Sequence, residues 1–158
     1  MKCAIVAVGH RMPAWITAGV DEYTRRMPRE MTVRLTEIKP EARGANSPAA
    51  TRRVLAAEAK RIRAAVPPQS LCVALDERGV QLTSSELADR LRHWRMSGRD
   101  LAFVIGGADG LDAQMKADSA LLWSLSPLTL PHGLVRIVLA EQLYRAATMV
   151  QGHPYHRA

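Results

Sequence analysis

A chain of 158 residues, 47% hydrophobic and 23% charged, can bury one core but not two, and its make-up excludes a disordered, collagen-like or low-complexity polymer. No apolar run approaches the roughly 18 residues that would span a bilayer, so no membrane partner is expected. Lysine and arginine outnumber the acids 22 to 15, and 18 of those bases fall in residues 1–100. That lopsided load suits a polyanion such as nucleic acid, with an arginine-biased codon usage behind a plain solvated surface as the competing account.

In chain order, Lys2–Val8 is short and apolar with no small-residue cleavage site after it, so it reads as a first buried strand and not as a signal peptide. A helix is predicted from Pro13, carrying Ile16, Val20, Tyr23 and Met27 on one face and stopping before Pro28. Strand Thr32–Ile38 follows, then a Gly, Asn, Ser and Pro-rich loop, and a helix opened by Ser47 as cap with Pro48 in its first position. Wound at 100° per residue, that helix puts Arg52, Arg53, Lys60 and Arg63 in roughly a quarter turn, with Leu55, Ile62 and Val66 on another side, facing the core. A strand over 71–75 precedes a helix with the capping-box pair Thr83 and Glu86, which buries Leu87, Leu91 and Trp94 and ends at Gly98. Strand Leu101–Ile105, a short helix after Leu111, a strand over 120–125 and a long helix over His132–Val150 complete the pattern. Cys3 and Cys72 both lie inside apolar runs and match no metal spacing, as expected of reduced thiols in a cytoplasmic protein.

Strand and helix alternate without repeat or linker, so the expected fold is a single α/β domain over 1–158, with a mostly parallel sheet covered on both faces. Ligands of such sheets sit beyond the carboxyl ends of the strands, here the loops after Leu75, Ile105 and Leu125. Gly106-Gly107-Ala108-Asp109-Gly110 is neither a dinucleotide fingerprint nor a Walker motif; plain turn geometry and a binding turn stay equally open. The loop through Leu125, Ser126, Pro127, Leu128, Thr129, Leu130 and Pro131 is apolar enough to be buried, stiffened by two prolines, and invites a ligand that satisfies its backbone. The last helix is apolar nearly all round, which calls for a partner subunit or a folded-back chain end over it. Glu141 and Arg145 have the spacing of an intrahelical ion pair. The terminal His153, Tyr155, His156 and Arg157 suit stacking, phosphate contact or proton movement; a metal site there lacks a nearby cysteine or carboxylate, so no metal is expected.

Several of these motifs, in order along nearly the whole chain, resemble the bacterial large-subunit (23S) ribosomal RNA pseudouridine N3-methyltransferases of the SPOUT superfamily. They are Ala7-Val8-Gly9, Glu22-Tyr23, Val104-Ile105-Gly106-Gly107, Leu128-Thr129-Leu130-Pro131-His132, Val135-Arg136, Glu141-Gln142-Leu143-Tyr144-Arg145-Ala146 and Pro154-Tyr155-His156. The resemblance implies a C-terminal trefoil knot, a homodimer built on the knotted region, and S-adenosylmethionine as cofactor. It places the cofactor on Leu75, Gly106, Leu125, Ser126, Pro127, Leu128, Thr129 and Leu130, the same strand-end loops that sheet geometry selects. The implied target is N3 of a pseudouridine in large-subunit ribosomal RNA, methylated in assembled ribosomes. Tyr155, His156 and Arg157 are the expected groups over the target base, in cis or from the opposing subunit, with Arg136 and His132 as further orienting candidates. Ala108 stands where relatives vary, so its side chain is not expected to matter. The competing reading is a non-catalytic RNA-binding or ribosome-associated module using basic residues 43–63; a nicotinamide oxidoreductase is disfavoured by the missing fingerprint and by the charge.

Overall fold

The apolar runs pair into one five-stranded sheet in the computed structural model, which describes residues 1–156. The elements are β1 Lys2–Val8, α1 Ala14–Thr24, β2 Thr32–Ile38, α2 Pro48–Ala65, β3 Leu71–Gln81, α3 Ser84–Met96, β4 Leu101–Ile105, α4 Ala113–Asp118, β5 Leu121–Ser124 and α5 His132–Val150, with a final 3-10 turn Pro154–His156. The strand order is β2-β1-β4-β3-β5 and every pairing is parallel. All carboxyl ends therefore lie on one edge of the molecule, where the loops collect.

Side chains alternate across a strand, and this alternation sorts the core. Cys3, Ile5, Ala7, Val73, Leu101, Phe103 and Ile105 pack with residues of α3 and α5, whereas Val6, Val8, Ile38, Ala74 and Val104 pack with α2 and α4. Phe103 meets Trp94 and Trp123 edge-on at centroid distances of 6.4 and 6.2 Å, a geometry favoured by the ring quadrupoles. Cys3 lies inside this layer and burial pushes its thiol up to about 12. Among the described residues no helix is long and apolar enough to cross a membrane.

Three boundaries differ from expectation. Helix α1 stops at Thr24, three residues short of Met27. Arg26 and Met27 donate to the carbonyls of Tyr23 and Thr24, a tighter i to i−3 winding that unwinds the chain ahead of Pro28. Strand β3 runs on from Leu75 to Gln81 because Leu75 and Val80 both pair with Trp123, the residues between them leaving the ladder as a bulge. Gly79 permits it, since a Cβ there would meet the Leu122 carbonyl oxygen at 2.6 Å. Strand β5 is two residues shorter than the predicted 120–125. On α2 the inner face is Ala50, Val54, Glu58, Ala59 and Ile62, with Leu55 and Val66 only half-buried at its margin. On α5 every residue from His132 to Val150 is buried or half-buried.

Candidate functional site

At the carboxyl edge a cavity of about 610 Å³ opens between three walls. The first is the β3 bulge, with Leu75, Asp76, Glu77 and Arg78; the second is the glycine turn 106–110; the third is the loop 125–132 leading into α5. Leu75, Gly106, Leu125, Ser126, Leu128, Thr129 and Leu130 line it as the sequence reading expected, joined by His132, while Pro127 lies in the third loop outside the lining.

Each wall is held by its own chemistry. In the glycine turn the Gly110 N–H donates to the Gly107 carbonyl at 3.0 Å, and Gly110 has φ +80°. Gly106 is required by close approach, because its Cβ would lie 2.4 Å from the Gly110 carbonyl oxygen. In the third wall the Ser124 hydroxyl donates to the Ser126 carbonyl at 2.9 Å, and the Leu128 N–H to Ser126 Oγ at 3.0 Å. Thr129 donates across the mouth to Glu77 at 2.8 Å. These bonds correct one expectation: the loop is not buried. Pro127, Leu128 and Thr129 are exposed, Leu128 by 71%, because the loop satisfies its polar groups internally and needs no burial to do so.

The charge around the cavity is mixed and mostly paired. Asp76 is nearly enclosed and takes hydrogen bonds from the Arg78 N–H at 2.8 Å and from Lys116 Nζ at 3.0 Å. Burial alone would raise its pKa, but those two donors outweigh it and hold the carboxyl below its ordinary range. Asp109 in the glycine turn pairs with Arg43 at 2.6 Å, which ties the loop before α2 to the cavity rim. Trp123, 2% exposed, forms part of the wall, and its indole N–H has no hydrogen-bond partner among the described residues. The bulge residues, Lys116 and Trp123 escaped the sequence reading. The signal was Gly79 closing a polar triplet between apolar runs, the usual mark of a bulge.

The other candidates lie apart from this cavity. Arg136 is completely buried on α5, with Nη1 donating to Glu37 at 2.7 Å and Nη2 to the carbonyls of Gly9 at 2.8 Å and Val8 at 3.3 Å. It clamps α5 to the carboxyl ends of β1 and β2, beside His132. Tyr155 folds back onto α5, its hydroxyl donating to Glu141 at 3.2 Å and its ring 4.6 Å from that of Tyr144, with Arg145 5.0 Å from the ring centre. Glu141 and Arg145 do pair, at 2.8 Å, and the pair seats the tail. His156 adjoins Tyr155 with its Nδ1 enclosed and unpartnered among the described residues. Arg157 lies outside the described residues. No cluster of three or more His, Cys, Asp or Glu suited to a metal occurs among the described residues.

Residues 1–156 of the chain match the family model described as "Predicted SPOUT methyltransferase". The chain belongs to the SPOUT methyltransferase family. Full-length relatives named "Ribosomal RNA large subunit methyltransferase H" are 57% identical in Burkholderia thailandensis and 56% identical in Burkholderia vietnamiensis, each over 158 residues that make up all of both chains. The probable methylase family protein of Haemophilus influenzae Rd KW20 shares the fold, with a TM-score of 0.55 at 15% identity over 98% of this chain and 69% of that one. Membership makes the chain a methyltransferase and leaves the non-catalytic module and the nicotinamide oxidoreductase without support.

Proposed function

We propose that this chain is an S-adenosylmethionine-dependent methyltransferase of large-subunit ribosomal RNA. Its target is N3 of a pseudouridine in assembled ribosomes, and it works in the cytoplasm as a homodimer with a knotted C-terminal segment. The observation that carries the reading is end-to-end identity of 57% to a relative named for methylation of that RNA. The cavity suits the donor. Its volume falls in the usual range for small-molecule sites, about 300–1,000 Å³. Leu75, Ile105, Trp123, Leu125 and Val135 give an apolar surface for a purine, next to an unpartnered indole N–H. The lining carries both signs, Asp76, Glu77 and Asp109 with Arg78 and Lys116, which suits a donor that has a cationic sulfonium and a zwitterionic amino-acid end.

When bound there, S-adenosylmethionine supplies an electrophilic methyl on a sulfonium. The protein's own work is positioning. Gly106 and the loop residues Leu125, Ser126, Pro127, Leu128, Thr129 and Leu130 fix the donor, with the loop's internal hydrogen bonds keeping it in shape before binding. Arg136 positions the Gly9 turn and α5 relative to each other, and so the His132 end of the cavity. The target base is contacted by Tyr155, His156 and Arg157. Tyr155 sits at Glu141, nine residues or about 14 Å along α5 from His132, so the tail serves the cavity of a second protomer and not its own. The dimer face is the outer side of α5 with half-buried Leu134 and Val138, next to α1, whose Trp15 is 61% exposed.

The test is transfer of labelled methyl from S-adenosylmethionine to ribosomes that lack the modification, with free RNA alongside. Label on intact ribosomes at one large-subunit pseudouridine is the expected result. Donor binding without label moves the target to another RNA; neither binding nor label overturns the reading.

A further inference from the structure

Arginine is abundant throughout this chain, and the structure separates bases that serve the fold from bases that do not. Just past α1, Arg25 and Arg26 pair with Asp21 and Glu22 of its last turn. On α3, Arg92 pairs with Asp89, and although Arg90 and Arg95 are exposed without an ion pair among the described residues, the exposed Glu86 and Asp89 share their helix. Helix α2 is different. Its one carboxylate, Glu58, is 6% exposed and turned inward, where it accepts the Glu41 N–H at 3.1 Å. The exposed side of α2 therefore carries no acid at all. Arg61 is occupied by Glu41 and the Lys39 carbonyl, and Arg63 lies 3.9 Å from both Asp112 and Asp118. Arg52, Arg53 and Lys60 are exposed and have no hydrogen bond or ion pair among the described residues. They share one arc and extend about 12 Å along the axis.

The loop before this arc reaches the cavity rim. The loop leading into α2 is tied by Arg43 to Asp109 on the glycine turn, so α2 starts at the carboxyl edge and runs away from the cavity mouth along the flank of the sheet. It lies on the face opposite α5, clear of the proposed dimer surface. The large hydrophobics that are exposed are Trp15, Val80, Met96 and Leu128, none of them on α2. The arc thus lacks the apolar side by which a basic amphipathic helix enters a lipid surface.

We propose that the outer arc of α2, through Arg52, Arg53 and Lys60, tracks the phosphate backbone of the RNA whose target base enters the adjacent cavity. This rests on the RNA reading above and adds the surface that holds the substrate. Three unpaired cations on a surface without competing acids match a run of phosphates, and each phosphate contact releases counterion on binding.

The experiment measures anisotropy of a fluorescein-labelled RNA hairpin against the full chain between about 50 and 200 mM KCl. The variants are R52Q/R53Q/K60Q and, as a control removing the same charge from α3, R90Q/R92Q/R95Q. At about 0.7–0.9 in slope per phosphate contact, the α2 variant should lower the salt dependence of log K by about 2 to 3, a difference on the order of 40-fold across that salt range. The α3 variant should change it by less than one unit, and both should keep wild-type affinity for S-adenosylmethionine and wild-type melting. Equal losses from the two variants mean that only net charge matters and overturn the proposal. So does an unchanged slope for the α2 variant, absence of wild-type binding at the lowest salt, or a loss seen with anionic phosphatidylglycerol vesicles but not with RNA. Failure of methyl transfer to ribosomes while the two slopes still differ would refute the proposed target and leave this surface standing.

Discussion

Replacing Gly106 by alanine isolates what the glycine turn contributes to donor binding. A Cβ at this position would stand 2.4 Å from the Gly110 carbonyl oxygen and 2.5 Å from its carbon. Both are backbone atoms, so relief requires the turn to open by at least about half an ångström, an overpacking that costs about 1–3 kcal/mol. Opening also stretches the 3.0 Å bond from Gly110 to Gly107, worth about 1 kcal/mol. Since the turn lies at the sheet edge, it escapes locally instead of unfolding the core. The expected melting shift is about 2–8 °C, while the donor must restore the closed turn in order to bind. That puts the loss of affinity at about 2–4 kcal/mol, or roughly 30- to 1,000-fold by calorimetric titration with S-adenosylmethionine. G110A is the matched comparison: nothing lies within 4 Å of its Cβ, and only the φ of +80° is penalised, by about 1–2 kcal/mol. Wild-type affinity in G106A, or a larger loss in G110A, would refute the reasoning.

Arg136→Ala leaves a void and strands the Val8 and Gly9 carbonyls, while the exposed Glu37 carboxylate returns to water, so a loss of about 2–4 kcal/mol by chemical denaturation is expected. Arg136→Lys should fail to rescue it, because one ammonium cannot reproduce the fork. Asp76→Asn frees Lys116 and loosens the β3 bulge, and donor affinity should fall several-fold with the melting point little changed. The native pKa of Asp76 lies below its ordinary 3.8. Its stabilising contribution is therefore complete above that value and is lost as pH falls below it; acid titration of the wild type should show this carboxylate step and D76N should lack it. Deleting residues 153–158 removes the Tyr155 contacts with Glu141 and Tyr144 but nothing in the cavity wall. Methylation of ribosomes should be abolished with calorimetric donor affinity retained; full activity would rule out the tail at the target base.

Where a strand is short and bounded by turn residues the chain's own pattern is enough to read. β1, β2 and β4 fall on their predicted bounds because each is a short apolar run bounded by turn residues, and the Thr83–Glu86 capping box places α3 correctly. The cavity's lining loops were likewise legible, since strand ends in a parallel sheet define where ligands go. What could not be read depends on long-range contact. The β3 bulge looks like a polar turn until Val80 is seen to rejoin Trp123. That Glu37, 99 residues away, holds Arg136 is visible only in the fold. The exposure of Leu128 depends on Ser126 and Thr129 closing their own hydrogen bonds, which no periodicity encodes.

The two sides of the sheet carry different work. The side packed by α3 and α5 gathers the apolar bulk and seats Tyr155 far down α5, away from its own cavity. The side packed by α2 and α4 keeps a smaller core beneath a helix with uncompensated cations. Only the carboxyl edge is common to both, and there Arg43, the glycine turn, the β3 bulge and the start of α5 converge on one cavity. On the reading proposed above, a substrate held along α2 reaches the cavity from the side opposite the proposed dimer face, and the tail of a second protomer arrives from the other. In the proposed dimer the target base is closed in from two directions, by α2 of one chain and the tail of the other.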